Sequence, residues 1–158
     1  LAREYCQSHG KDLPTEAQHE YLGGALRGSR YPWGDDDPAC TDAVFGRDRS
    51  RLLDCSAAGF GPRPAGSGAL DVLALGDRRV VDLAGNVSEW ARERHAPEDA
   101  ACNAPGHHVD PTCDVDARLF AVRGGSYANV QIGLRSDARS QAAGPGEVIG
   151  FRCVRVLP

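Results

Sequence analysis

The 158 residues carry 18 basic and 22 acidic side chains, a net charge of −4, with 41% hydrophobic residues. That length fits one domain around one core, and the acidic balance argues against a nucleic-acid surface. No apolar run is long enough to span a membrane, and no secretory leader pattern opens the chain.

Taken in order, Leu1 to Ser8 reads as the end of a helix that Gly10 stops. Leu1 enters directly on a helical pattern and Met is absent throughout, so the chain is expected to begin inside a longer protein. A second helix is expected from Glu16 to about Leu22. Thr15 suits its N-cap, Gln18 completes a capping box, and Gly23-Gly24 ends it. Tyr31-Pro32-Trp33-Gly34 reads as an aromatic turn anchored in the core. Asp35 to Gly68 is mostly loop, and Asp35-Asp36-Asp37 reads as a solvated acidic turn.

Leu70 to Leu75 and Val80 to Leu83 are short apolar runs suited to strands. Asn86-Val87-Ser88 matches a glycosylation sequon but lies in a segment expected to fold inward. Residues 91–118 read as a polar insertion. Phe120 to Arg123 is expected to be a strand leading into Gly124-Gly125, followed by short strands and turns. The 19 glycines and 10 prolines predict many turns and little regular secondary structure.

The six cysteines permit three disulfides. Cys40 and Cys55 bracket one polar loop, and Cys102 and Cys113 bracket another. Either bridge would contribute about 3 kcal/mol by restricting the unfolded chain. Cys6 and Cys153 remain, one near each end. Zinc is the rival reading, but no Cys-x-x-Cys or finger spacing supports it. His95, His107 and His108 lie near Asp110, Asp114 and Asp116 in the insertion, and are read as solvated loop side chains. Disulfides imply an extracytoplasmic setting.

Gly10-Lys11-Asp12-Leu13-Pro14-Thr15-Glu16-Ala17, Tyr31-Pro32-Trp33-Gly34, Gly85-Asn86-Val87-Ser88-Glu89-Trp90, and Arg123-Gly124-Gly125-Ser126-Tyr127 with Gly150-Phe151-Arg152 occur in that order. Together they resemble the formylglycine-generating enzyme, or sulfatase-modifying factor, family. The resemblance spans residues 1–158 as one domain whose N-terminal portion would precede Leu1. It implies an α+β, modified C-type-lectin-like fold, poor in regular secondary structure and disulfide-stabilised. It also implies the Cys6–Cys153 bridge, and a structural calcium ion held by the Asp82 and Glu89 side chains and the Gly85 and Val87 carbonyls. Such oxygens are the donors calcium prefers.

Family enzymes oxidise a sulfatase cysteine to formylglycine with oxygen, copper and two active-site cysteines. Here Asn129 stands at the first cysteine's place and a shorter loop leaves none for the second. An amide supplies no thiolate to copper. Copper is therefore not expected, and iron only through a domain outside this chain. Ser126, Tyr127, Asn129, Arg135 and Arg139 are expected to face the former active-site cleft. The cleft would take a peptide or small-molecule ligand through a carboxylate or backbone. The competing reading for Arg135 and Arg139 is ion pairing with Asp137, Glu89 or Glu147. The leading functional expectation is a binding module, a pseudoenzyme secreted or on the outer face of a larger bacterial protein. The alternatives are a family oxidase with a different metal site, and a retroelement-type variable ligand-binding protein.

Overall fold

The computed structural model describes residues 1–50, 55–98, 100–104, 109, 111–113 and 115–155. Two short helices open the chain, α1 at Ala2–Ser8 and α2 at Glu16–Gly23. Thr15 caps α2 as its sequence predicts: its hydroxyl accepts the Gln18 N–H at 3.0 Å, and the Gln18 side chain accepts the Thr15 N–H at 3.1 Å. Gly10, at φ +66°, turns the chain between them.

Strands β1 (Val72–Leu75) and β2 (Arg78–Val81) form a separate antiparallel hairpin. The main sheet contains β3 (Ser88–Arg94), β4 (Phe120–Arg123), β5 (Arg139–Ala142) and β6 (Ile149–Gly150) in the order β5-β4-β3-β6. Only the β3–β6 pairing is parallel. The fold is α+β, of the modified C-type-lectin-like kind, with little regular structure.

The apolar core gathers Tyr31, Ala43, Phe45, Ala84, Leu134 and Cys55, with Trp33 stacked on Tyr31 at 4.9 Å. Burying a side chain such as Phe45 contributes about 2–3 kcal/mol. Three disulfides tie the chain: Cys6–Cys153, Cys40–Cys55 and Cys102–Cys113. Both spacing-derived pairs form, as does the pair implied by the resemblance.

One boundary differs from expectation. Residues 91–94, read as the start of the polar insertion, continue β3. The cause is that β3 buries acids on its inward face: Glu89 and Glu93 alternate with Ala91, and all three are buried. His107, His108, Asp110 and Asp114 of the insertion lie outside the described residues.

The Gly-rich motifs have a steric basis. Gly124 has φ +68°, and a Cβ there would meet the Leu83 carbonyl at 2.9 Å. A Cβ on Gly125 would meet the Ala84 carbonyl at 2.6 Å. The segment after β4 therefore packs its backbone directly on the Leu83–Asn86 turn. Asn86 is buried at φ +68°, with its amide bonded to both main-chain groups of Arg63, which removes it as an accessible glycosylation acceptor.

Candidate functional site

Strand register sets the site. Glu89 on β3 lies opposite Arg123 on β4, which lies opposite Arg139 on β5. Directly opposed residues share a face, so these three side chains form a row across the sheet. Helix α2 packs on that face and presents Glu16, His19 and Glu20 at helical spacing. Arg139 takes Glu16 in a two-point pair at 3.1 and 2.7 Å. Arg123 takes Glu20 at 2.5 Å. His19 Nε2 approaches Glu89 Oε2 at 3.4 Å without a hydrogen bond. The helix is thus docked by charges rather than by an apolar stripe.

Arg123 is 1% exposed and its guanidinium also donates to the Ser136 and Ala138 carbonyls at 2.9 Å each. Ser136 is further held by Ser29 and Arg30 main-chain carbonyls. The 135–139 segment is therefore clamped to the sheet and to the loop after α2. Arg135 pairs with Asp137 at 2.8 and 2.7 Å. The hydrogen bond to Arg135 holds the Asp137 carboxyl below the usual range.

Between α2, residues 28–30, residues 135–139 and the Cys102–Cys113 loop lies a cavity of about 440 Å³. Arg135 and Arg139 line it, together with Glu16, Glu20, Tyr21 and Glu93. Glu93 is buried, and its carboxylate accepts the Glu16 N–H at 3.0 Å. Burial pushes the Glu93 carboxyl up, against the pull of that N–H.

The five residues expected to share one cleft divide into two groups. Ser126, Tyr127 and Asn129 do not line this cavity. Ser126 is buried and donates its hydroxyl to Asn129 Oδ1 at 2.7 Å, while the Ser126 N–H reaches the same oxygen at 2.8 Å. Asn129 therefore closes its own turn. Tyr127 joins neighbouring backbone, its N–H to the Asn86 carbonyl and its carbonyl to the Arg47 N–H. Arg135 and Arg139 are paired with acids; Asp137 was among the partners the sequence suggested and Glu16 was not.

The expected calcium ligands fit in part. Asp82 Oδ1 is buried with no hydrogen-bond partner, an oxygen open to a cation. Glu89 is committed elsewhere: Arg152 Nη2 donates to its carboxylate at 2.7 Å and to the Asp82 carbonyl at 2.8 Å. Burial pushes the Glu89 carboxyl up, but the His19 and Arg152 contacts reverse this and hold it low. Among the described residues, no group of three or more His, Cys, Asp or Glu gathers as a metal site.

Sequence reasoning passed over Asp71, which is fully buried. Its carboxylate accepts the N–H groups of Leu83, Ala84 and Gly85 at 2.9–3.1 Å. Burial outweighs these bonds and raises its pKa to about 6. Its position inside the short apolar run from Leu70 to Leu75 offered little sign of this.

The molecule is thus a disulfide-tied α+β scaffold presenting a polar cavity, with all six cysteines bridged. It belongs to the sulfatase-modifying factor enzyme 1-like domain family, which matches residues 2–157. The chain is 35% identical over 165 residues to the inactive C-alpha-formylglycine-generating enzyme 2 of Bos taurus, covering 96% of this chain and 46% of that protein. It is 30% identical to the formylglycine-generating enzyme of Streptomyces coelicolor, covering 96% of this chain and 49% of the relative. The chain therefore spans about half the length of these two relatives. The solved structure of PvdO from Pseudomonas aeruginosa superposes with a TM-score of 0.69 at 24% identity, covering 99% of this chain and 57% of that one, and supports the fold.

Proposed function

We propose that this chain is a binding domain of its family that does not oxidise sulfatase cysteines. The observation that carries this reading is the engagement of every cysteine in a disulfide. Copper chemistry of the family type needs thiolates, and at the expected position Asn129 is bonded to Ser126. Incubation with a cysteine-bearing sulfatase peptide, copper and oxygen leaves the peptide unchanged by mass spectrometry. Conversion of its cysteine to an aldehyde overturns the reading.

The ligand enters the cavity beside α2. Glu16 and Asp137 neutralise Arg139 and Arg135, so a ligand carboxylate gains little from either arginine. Glu93 makes no ion pair among the described residues, and its buried carboxylate accepts the Glu16 N–H. The cavity therefore favours a basic group, as on a lysine- or arginine-bearing peptide. Calorimetric titration with such a peptide yields binding that Glu93→Gln weakens about tenfold; equal affinity in the variant overturns this assignment. The three disulfides support an extracytoplasmic setting; among the described residues no helix is long and apolar enough to cross a membrane.

Calcium belongs to the same proposal on its Asp82 side, with the Gly85 and Val87 carbonyls and without Glu89. Thermal unfolding shifts upward in calcium relative to chelator, and Asp82→Asn abolishes the shift. Asn accepts the φ of +55° at this position, so the variant keeps its backbone. An identical Tm in calcium and chelator removes the metal.

A further inference from the structure

A second pocket, of about 390 Å³, lies beside the Cys40–Cys55 bridge, away from α2. Two arginines line it, and no aspartate or glutamate among the described residues does. Arg47 is only 6% exposed. Its Nε donates to the Gly61 carbonyl at 3.0 Å and its Nη1 to the Ala58 carbonyl at 2.6 Å. Nη2 has no protein partner among the described residues and is not sealed from solvent. Gly59 passes so near that a Cβ on it would come within 3.2 Å of Nη2.

Neither arginine makes an ion pair among the described residues. The adjacent acid, Asp48, accepts from the Ser50 N–H and hydroxyl at 2.8 Å, and Asp42 takes the Ala39 N–H and the Thr41 hydroxyl. Burial pulls the Arg47 pKa down, and the charge of Arg63 adds to the effect. A guanidinium stays charged even so. Carbonyl dipoles solvate part of that charge but do not neutralise it, and a buried charge without a counter-ion is unfavourable. Arg63 is held for the task through its main chain, because the Asn86 amide takes its N–H at 2.9 Å and donates to its C=O at 3.0 Å. The remaining walls include Ala43, Val44, Ala58 and Ala69.

We infer that this pocket binds an oxyanion carried on a small apolar body, with Arg47 and Arg63 holding the anionic head and the alanine and valine side chains covering the body. The head is a carboxylate, sulfate or phosphate, all of which match a guanidinium fork. The site is separate from the cavity beside α2 and does not depend on its occupant.

Benzoate, phenyl sulfate and phenyl phosphate share one body and differ in the head, so titrating the chain with each by calorimetry identifies the anion class. At least one of the three binds saturably, and benzyl alcohol, the neutral control, does not. Arg63→Ala weakens that binding about tenfold or more, and Arg63→Lys restores part of it. Arg63→Ala keeps the backbone bonds to Asn86, and an unchanged circular dichroism spectrum and Tm confirm its fold. Absence of saturation by all three probes up to about 10 mM overturns the inference. So does an affinity unchanged in Arg63→Ala, or benzyl alcohol binding as well as the anions.

Discussion

The two pockets treat arginine in opposite ways. Beside α2, Arg123, Arg135 and Arg139 each meet a carboxylate, and two of those carboxylates come from the helix. Beside the Cys40–Cys55 bridge, Arg47 and Arg63 meet carbonyls or solvent and no acid among the described residues. In the first set Arg123 and Arg139 tie the sheet to α2; the second leaves its charge for something else. Counting arginines in the sequence cannot separate these roles, because the partners lie far away in the chain. Glu16 and Arg139 are 123 positions apart.

This contrast can be broken by substitution. Arg123→Met carries the largest expected effect, because it strands the Ser136 and Ala138 carbonyls and the docking charge of Glu20. It should lower the unfolding free energy in urea by about 3–5 kcal/mol. A loss under about 1 kcal/mol would place Arg123 with the second set. Glu16→Gln removes one partner of a partly buried pair and should cost about 2 kcal/mol in the same assay. Arg47→Met should cost least, within about 1 kcal/mol, since it also removes an uncompensated buried charge. A cost as large as that of Arg123→Met would make Arg47 purely a structural cation.

Asp71 sharpens the comparison from the acidic side, since backbone N–H groups rather than a cation hold it. Its pKa is raised in the folded state to about 6 from 3.8. The protonated carboxyl therefore contributes stability that is fully present below pH 3.8 and is lost as pH rises through about 6. Glu89, held low by His19 and Arg152 despite its burial, works the other way and weakens the fold as pH falls. Carbon-13 titration of Asp71 should give a midpoint near 6, and Asp71→Asn should remove the corresponding slope of stability against pH. A midpoint below 4 would show that the N–H groups, not burial, dominate.

Local signals were the legible ones. The Thr15–Gln18 capping box, the aromatic turn at Tyr31, strand β4 and the two loop-closing cysteine pairs depend on residues near one another. The ordered motifs identified the fold, and two of them encode a close backbone approach: Gly85 against the Val44 carbonyl, and Gly124 and Gly125 at the Leu83–Asn86 turn. Long-range charge pairing was not legible. Glu93 looks like a surface acid, so the second half of β3 read as polar insertion. Ala43, Val44 and Phe45 are three apolar residues inside a polar stretch, too short to announce a core. The expected cleft failed as a unit because Asn129 turns inward to Ser126 while Arg135 and Arg139 extend toward α2.

The Cys6–Cys153 bond has a mechanical consequence. It joins two residues 147 positions apart whose Cα atoms lie within 5.4 Å. A pull applied at Leu1 and Arg155 would travel through one covalent link near the ends and leave the intervening sheet, both pockets and the docked helix unloaded. Reduction would reroute the same tension through non-covalent contacts, among them the pair of hydrogen bonds between Asp12 and Val154. Under tension, the redox state of a single bond thus decides whether the domain behaves as a rigid bead or as an extensible thread.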